Sequence, residues 1–299
     1  LHHSPGRCRN ERRAMTSRFE GVAIIGVGLL GASLGLALKK NDPSLSITGV
    51  GRTLASLEIA RRRGAVDQIT LDVREGVARS RLVVIATPTS SVIPTLDLVL
   101  AAAPPDAVIL DVASTKEAIC AHAQRVCGLP RRFVGCHPMA GSELYGPENG
   151  TAELYSGSVC LVEKDAALDR DAREQVCALW ESAGARVADM DVRIHDAILA
   201  RTSHAPHVTA AALALVAGEY GVPAEMVGNG FRDTTRIAES RAELWRDICL
   251  ENRWALAETL SSLQEWLHRF EAYLTASDGP GLEQFFRDGA AARARVVKQ

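Results

Sequence analysis

His137 is the side chain in this sequence best suited to proton chemistry. It stands in the stretch Gly135–Gly146, reading GCHPMAGSELYG. An imidazole exchanges a proton near neutral pH. Pro138 fixes its own φ and restricts His137 to extended or turn geometry, and Gly141 permits a tight turn close to a ligand. A carboxylate, Glu143, follows six residues on. A lone histidine in a loop is most often a surface residue, so its meaning depends on what the chain brings to face it. Three polar groups are available. Ser114 lies in Ala113-Ser114-Thr115-Lys116. His204 and His207 flank Ala205-Pro206 in Thr202–His207, reading TSHAPH. Phe231–Arg236, reading FRDTTR, supplies Asp233 and Arg236. Arginine offers a planar fork for bidentate carboxylate binding, although most such runs are solvated Arg–Asp pairs. Trp245 beside Arg246 and Asp247 reads equally as packing and surface.

The elements that must hold these residues follow from hydrophobic patterning. Short apolar, β-branched runs at Gly21–Ile25, Ser46–Gly51, Leu82–Ala86 and Ala107–Val112 read as buried parallel strands. Helices are expected over Leu29–Leu38, Leu54–Arg63, Val92–Ala103 and Thr115–Cys127. Phe133–Gly135 is a short strand entering the His137 loop. Val159–Val162 and Arg186–Ala188 are later strands, with a helix around Asp169–Ala183 between them. This alternation predicts βαβ units and a mostly parallel sheet. From Asp191 onward the strand signal disappears. Val192–Glu219, Ala242–Ala272 and Gly281–Val297 read as helices, with Pro206 disrupting or kinking the first of them. The expected organisation is an extension over 1–18, a strand-helix domain over 19–190 and an all-α domain over 191–299. The extension is basic and polar, is read as disordered or non-native, and contains Met15 as a candidate start.

Composition excludes several classes of function. The net charge is −2 over 299 residues, so no basic face for nucleic acid or an anionic membrane is implied. No apolar run approaches the roughly 18 residues of a membrane span. Seven scattered cysteines without a C-x-x-C pair suggest neither a disulfide framework nor a metal site, and free thiols point to a cytoplasmic setting.

Gly26-Val27-Gly28-Leu29-Leu30-Gly31 lies directly between an expected strand and an expected helix, the context that gives a G-x-G-x-x-G its meaning. Gly26 allows the tight turn, Gly28 lets the backbone approach a pyrophosphate, and Gly31 lets helix pack on strand. The phosphates then sit at a helix N-terminus. The second strand ends in Gly51-Arg52-Thr53, without the Asp or Glu that usually binds the ribose of NAD. Arg52 and Thr53 suit the 2′-phosphate of NADP. Alternatively Arg52 stacks on adenine or faces solvent and NAD remains usable; NADP is the expectation. Thr87-Pro88-Thr89 and Ser114 follow successive strands, where the carboxyl ends of a parallel sheet open a ligand crevice. Ser114 has two open roles: a hydrogen bond to an imidazole or nicotinamide, or the N-cap of a helix starting at Thr115 with Glu117 completing a capping box.

GVGLLGASLGLAL, DVASTKE, GCHPMAGSE, SHAPHV, and FRDTTRIAES followed by LWRDICLEN together resemble the prephenate/arogenate dehydrogenases of tyrosine biosynthesis, from Gly21 to about residue 275. The resemblance implies a Rossmann domain followed by an all-α dimerisation domain, a homodimer, and the monofunctional form of the enzyme. It implies oxidative decarboxylation of prephenate to 4-hydroxyphenylpyruvate with hydride transfer to NAD(P). In it His137 accepts a hydrogen bond from the 4-hydroxyl, Ser114 orients His137 and touches the cofactor, and Arg236 binds a substrate carboxylate. His207 and Glu143 line the side-chain end, Asp233 and Trp245 gate the site or support it, and Ser142 and His204 are further candidates for substrate contact. Arogenate as substrate is the nearest alternative. The lysine-dependent β-hydroxyacid dehydrogenases fit poorly, because no lysine lies between Lys164 and Lys298. A catalytically silent NADP-binding sensor of the same fold would bind nucleotide without turnover.

Overall fold

The computed structural model describes residues 21–141 and 144–297. The expected 1–18 extension, Ser142 and Glu143 lie outside the described residues. Six strands, β1 (Val22–Ile25), β2 (Ile47–Val50), β3 (Gln68–Thr70), β4 (Leu82–Ile85), β5 (Val108–Asp111) and β6 (Phe133–Val134), form an all-parallel sheet in the order β3-β2-β1-β4-β5-β6. Successive strands are joined through helices: α1 (Leu29–Asn41), α2 (Leu54–Arg62), α3 (Val73–Val77), α4 (Val92–Leu100) and α5 (Glu117–Val126). The sheet is a Rossmann sheet, and both its faces are buried. Alternate residues of one strand enter different cores: Val22 and Ile24 pack on one side, Ala23 and Ile25 on the other. That is why these strands read as continuous apolar runs rather than alternating ones. β3 and α3 escaped the sequence reading. β3 is a three-residue edge strand, and α3 has only five residues, too short for a periodic signal.

A second sheet corrects the expectation for His137, which lies in a strand rather than a loop. β7 (Cys136–Pro138) pairs antiparallel with β8 (Val159–Glu163), which pairs parallel with β9 (Arg186–Met190), and α6 (Arg170–Ser182) joins the last two. Pro138 sits on the edge strand, where a missing N–H costs no ladder bond. Two buried ion pairs fix this strand. Arg131 grips Glu163 in fork geometry (Nη1–Oε2 3.0 Å, Nη2–Oε1 2.7 Å), and Glu163 also accepts the amide of Gly135 at 3.0 Å. Asp111, paired with Lys116, accepts the amide of Cys136 at 3.1 Å. Burial pushes the Asp111 carboxyl up, against the opposing pull of Lys116.

From Val192 onward the regular structure among the described residues is helical: α7 (Val192–Leu199), α8 (Ala205–Gly218), α9 (Asn229–Thr235), α10 (Ala242–Glu251), α11 (Arg253–Thr275) and α12 (Gly279–Val297). The long helix expected over Val192–Glu219 is broken by a π turn at Ala200–His204. Pro206 has no N–H for the Thr202 carbonyl and its ring crowds that carbonyl, so the wider turn absorbs the mismatch. The helix expected over Ala242–Ala272 is broken at Asn252. FRDTTR is the body of α9 running into a 3-10 turn at Arg236–Glu239.

Candidate active site

The glycine turn is built for a phosphate. Gly26 has φ +92°, and a Cβ there would meet the Ala86 carbonyl oxygen at 2.4 Å. A Cβ on Gly31 would lie 2.3 Å from the Gly26 oxygen. A Cβ on Gly28 would meet nothing within 4 Å, so the space in front of α1 is open. No side chain caps the first turn of α1, which leaves its amides for an anion. Thr87, just past the end of β4, has a buried hydroxyl with no hydrogen-bond partner among the described residues. A buried unpaired hydroxyl beside an open anion cradle fits a dinucleotide. At the end of β2, Arg52 and Thr53 are exposed, and the Thr53 hydroxyl bonds that of Ser56 at 3.1 Å.

His137 closes the other side of the crevice. It is 7% exposed. Burial, reinforced by the nearby ammonium of Lys116, drives its pKa well below 6.5, so the imidazole is neutral at physiological pH. Its Nδ1 lies 2.9 Å from Nε2 of His195, and Nδ1 of His195 lies 2.5 Å from Oδ1 of Asp196. Asp196 also accepts the amides of Lys116 (2.9 Å) and Glu117 (3.1 Å) at the start of α5. Burial pushes its carboxyl up, but these hydrogen bonds and that from His195 outweigh it and hold the carboxyl below its usual value. The capping box that was one of two open roles for Ser114 is therefore absent: α5 starts at Glu117, and its first amides are met by Asp196 on α7. Ser114 is half-buried at the end of β5. Among the described residues the partner of His137 Nδ1 is His195, and no hydrogen bond joins Ser114 to His137.

The helical half supplies the remaining groups. The π turn brings His204 into the interior at 1% exposure, where Asn252 Nδ2 meets its Nδ1 at 3.0 Å. The same Asn252 Nδ2 donates to the Asp196 backbone carbonyl at 2.7 Å. Burial lowers the His204 pKa to about 4. One turn on, His207 Nδ1 donates to the Ser203 carbonyl at 2.9 Å, and its ring stacks on Trp245 with centroids 3.6 Å apart. Burial lowers the His207 pKa and the charge of Arg236 lowers it further, which places Arg236 within electrostatic reach. Arg236 and Asp233 are both exposed. Ser90, beside the Thr87 loop, donates to Asp247 on α10 at 2.6 Å and ties the glycine-rich side to the helix carrying Trp245. No group of three His, Cys, Asp or Glu among the described residues forms a metal site.

The structure thus links His137, His204, His207 and Trp245 and packs the turn that begins at Arg236 against α8; sequence reasoning selected all five residues. His195, Asp196, Asn252 and the Ser90–Asp247 link escaped it. The one local signal was a polar pair, His195-Asp196, inside the apolar run VRIHDAILA.

Comparison with known proteins gives the same picture. The model described as "Prephenate dehydrogenase, nucleotide-binding domain" matches residues 34–189, and "Prephenate dehydrogenase, dimerization domain" matches residues 191–288. A cyclohexadienyl dehydrogenase of Zymomonas mobilis is 32% identical over 285 residues, covering 92% of this chain and 95% of that protein. A prephenate dehydrogenase of Bacillus subtilis is 30% identical, covering 91% and 74%. A solved prephenate dehydrogenase from Aquifex aeolicus, in complex with hydroxyphenyl propionate and NAD+, superposes with a TM-score of 0.82 at 26% identity, covering 92% of this chain and 98% of that one. The arogenate dehydrogenase of Synechocystis gives a TM-score of 0.77 at 25% identity, covering 93% and 100%.

Proposed function

The chain belongs to the prephenate dehydrogenase family of oxidoreductases, and from that premise we propose that it oxidatively decarboxylates prephenate to 4-hydroxyphenylpyruvate in the cytoplasm, with NADP preferred over NAD. The observation that carries the reading is a buried, neutral His137 whose Nδ1 is already engaged. Its Nε2 is then left to accept the proton of the 4-hydroxyl as the carbonyl develops. A bound nicotinamide supplies the hydride acceptor. Gly26–Gly31, Thr87 and Pro88 would hold the dinucleotide, and Ser114 would face its reactive end. Arg236 would bind a substrate carboxylate, and His207, stacked on Trp245, would shape the pocket beside it. Aromatisation of the ring provides the driving force for loss of carbon dioxide, so the protein must mainly position and polarise.

Arogenate remains a second reading with its own support. His207 donates through Nδ1 to Ser203 and is held neutral, so its Nε2 offers an acceptor that suits an ammonium group. A steady-state assay crossing prephenate and arogenate with NAD and NADP tests both. The highest kcat/KM is expected for prephenate with NADP, and higher values for arogenate would reverse the assignment.

Three further outcomes are expected. Arg236→Gln raises KM for prephenate about tenfold or more through loss of a charged hydrogen bond, with a smaller change in kcat; an unchanged KM removes Arg236 from the site. Arg52→Asp shifts preference from NADP towards NAD in the ratio of kcat/KM values, and an unaltered ratio means that the 2′-phosphate is not read at this position. The third concerns pH. The active form of His137 is the deprotonated one, and its pKa is lowered, so kcat holds through pH 6.5 and falls only below it. An acid limb centred above pH 6.5 in the kcat profile contradicts this account.

We also propose a homodimer formed through the helical half. Leu215, Tyr220, Met226 and Trp254, each at least 70% exposed in the half that matches a dimerisation domain, are large side chains that a second copy would cover.

A further inference from the structure

We propose that His195, oriented by Asp196, is a positioning residue that holds His137 in the one tautomer able to accept the substrate proton. The inference rests on the reading above, in which Nε2 of His137 takes the 4-hydroxyl hydrogen, and it assigns a role to two residues outside the substrate pocket.

The argument is one of donors and acceptors along a single line. An ionised carboxylate only accepts, so Nδ1 of His195, 2.5 Å from Asp196 Oδ1, carries a hydrogen. When the His195 ring carries this one hydrogen, its Nε2 has a lone pair and nothing to donate. His137 Nδ1 lies 2.9 Å from that nitrogen, so it must donate, and its single hydrogen sits on Nδ1. Nε2 of His137 is left as a bare acceptor. The opposite tautomer would set two lone pairs against each other across a buried 2.9 Å contact and would present an N–H to the substrate hydroxyl.

Asp196 is itself held. Its carboxylate accepts the Lys116 and Glu117 amides at the start of α5, and its backbone carbonyl accepts from Asn252. His195, Asp196 and Asn252 are all at most 5% exposed, so water does not compete for these bonds. Among the described residues, the charged or titratable groups whose fields act most on His137 are His195, Lys116, His204 and Asp196. Asp196, the one anion among them, lies behind His195. As the proton arrives at Nε2 of His137, the new positive charge is met by a lone pair backed by that carboxylate. A triad in which a buried carboxylate sets the tautomer of a catalytic histidine works on the same physics. Here a second imidazole is interposed.

The test combines two His195 variants with nitrogen-15 NMR of the histidine rings, all on the full-length protein with NADP bound. Wild-type His137 should show the Nδ1–H tautomer, a measurement that needs no turnover. His195→Leu removes the acceptor, and the Nδ1–H signature of His137 should be lost. The same change should lower kcat about 10²-fold while KM for the nucleotide stays the same. His195→Gln restores a carboxamide oxygen as acceptor and should recover at least about tenfold of that loss together with the Nδ1–H signature. An Nε2–H tautomer in the wild type overturns the proposal, as does equal activity of the Leu and Gln variants. Failure of the functional reading looks different: wild type would then turn over neither cyclohexadiene while still showing the Nδ1–H ring.

Discussion

Replacing His137 by asparagine lowers kcat by about 10²-fold or more while nucleotide affinity stays nearly unchanged. Asparagine keeps a polar group at this position but has no nitrogen lone pair able to take up a proton. The glycine cradle, the open space at Gly28 and the Thr87 hydroxyl belong to other strands, so the dinucleotide site is untouched. The experiment compares kcat on prephenate with nucleotide Kd from fluorescence titration. Wild-type turnover by the variant would refute the mechanism, and a parallel loss of nucleotide binding would show that the substitution disturbs the crevice as a whole. Because burial keeps the imidazole neutral, the loss should be of similar size from pH 7 to pH 9 rather than confined to one limb.

Glu163→Ala should have the largest effect on stability. Arg131 is fully buried, and the change leaves its guanidinium without its fork partner. It also strips the Gly135 amide of its acceptor. Removing one member of a buried pair costs about 3–5 kcal/mol, a fall in Tm on the order of 10 °C for a chain of this size. Asp165 also pairs with Arg131 at 3.7 Å, but from a partly exposed position and without the two short bonds of the fork. The double variant Arg131→Met/Glu163→Leu removes both charges together and should regain most of the loss, because no unpaired charge remains. Thermal unfolding of the three proteins checks this. A Tm for Glu163→Ala equal to that of wild type would mean that Arg131 finds another partner or reaches solvent.

The part of the molecule legible in sequence was the part governed by local pattern. GVGLLG between an apolar strand and a small-residue helix located the dinucleotide turn, and the alternation of strands and helices gave the parallel sheet. The loss of strand signal after residue 190 gave the helical half. Pro206 announced a disturbed helix, although not that a π turn would aim His204 inward. What stayed hidden was pairing at a distance. His137 meets His195 across 58 residues, and the α5 amide of Lys116 meets Asp196 across 80. Neither contact leaves a periodicity, and a start such as DVRIHD reads as an ordinary helix opening with Asp191 as its cap, which it also is. The cap, one of the two roles open to Ser114, failed for the same reason: the local capping pattern was present, but a carboxylate from α7 reached the helix end instead. The Arg131–Glu163 and Asp111–Lys116 pairs were invisible because a charged residue in a sequence reads as surface until its partner is known.

The cap on α5 bears on how such proteins can be recombined. The change from strand to helix at residue 190 invites a chimera that joins this nucleotide-binding half to the helical half of a relative. That junction severs the molecule at its least separable point. The acceptor for the first amides of α5, the ring that faces His137 and the carboxamide that steadies both all lie beyond it, at Asp196, His195 and Asn252. A graft inherits a working active site only if these three positions travel as one unit with the half they serve.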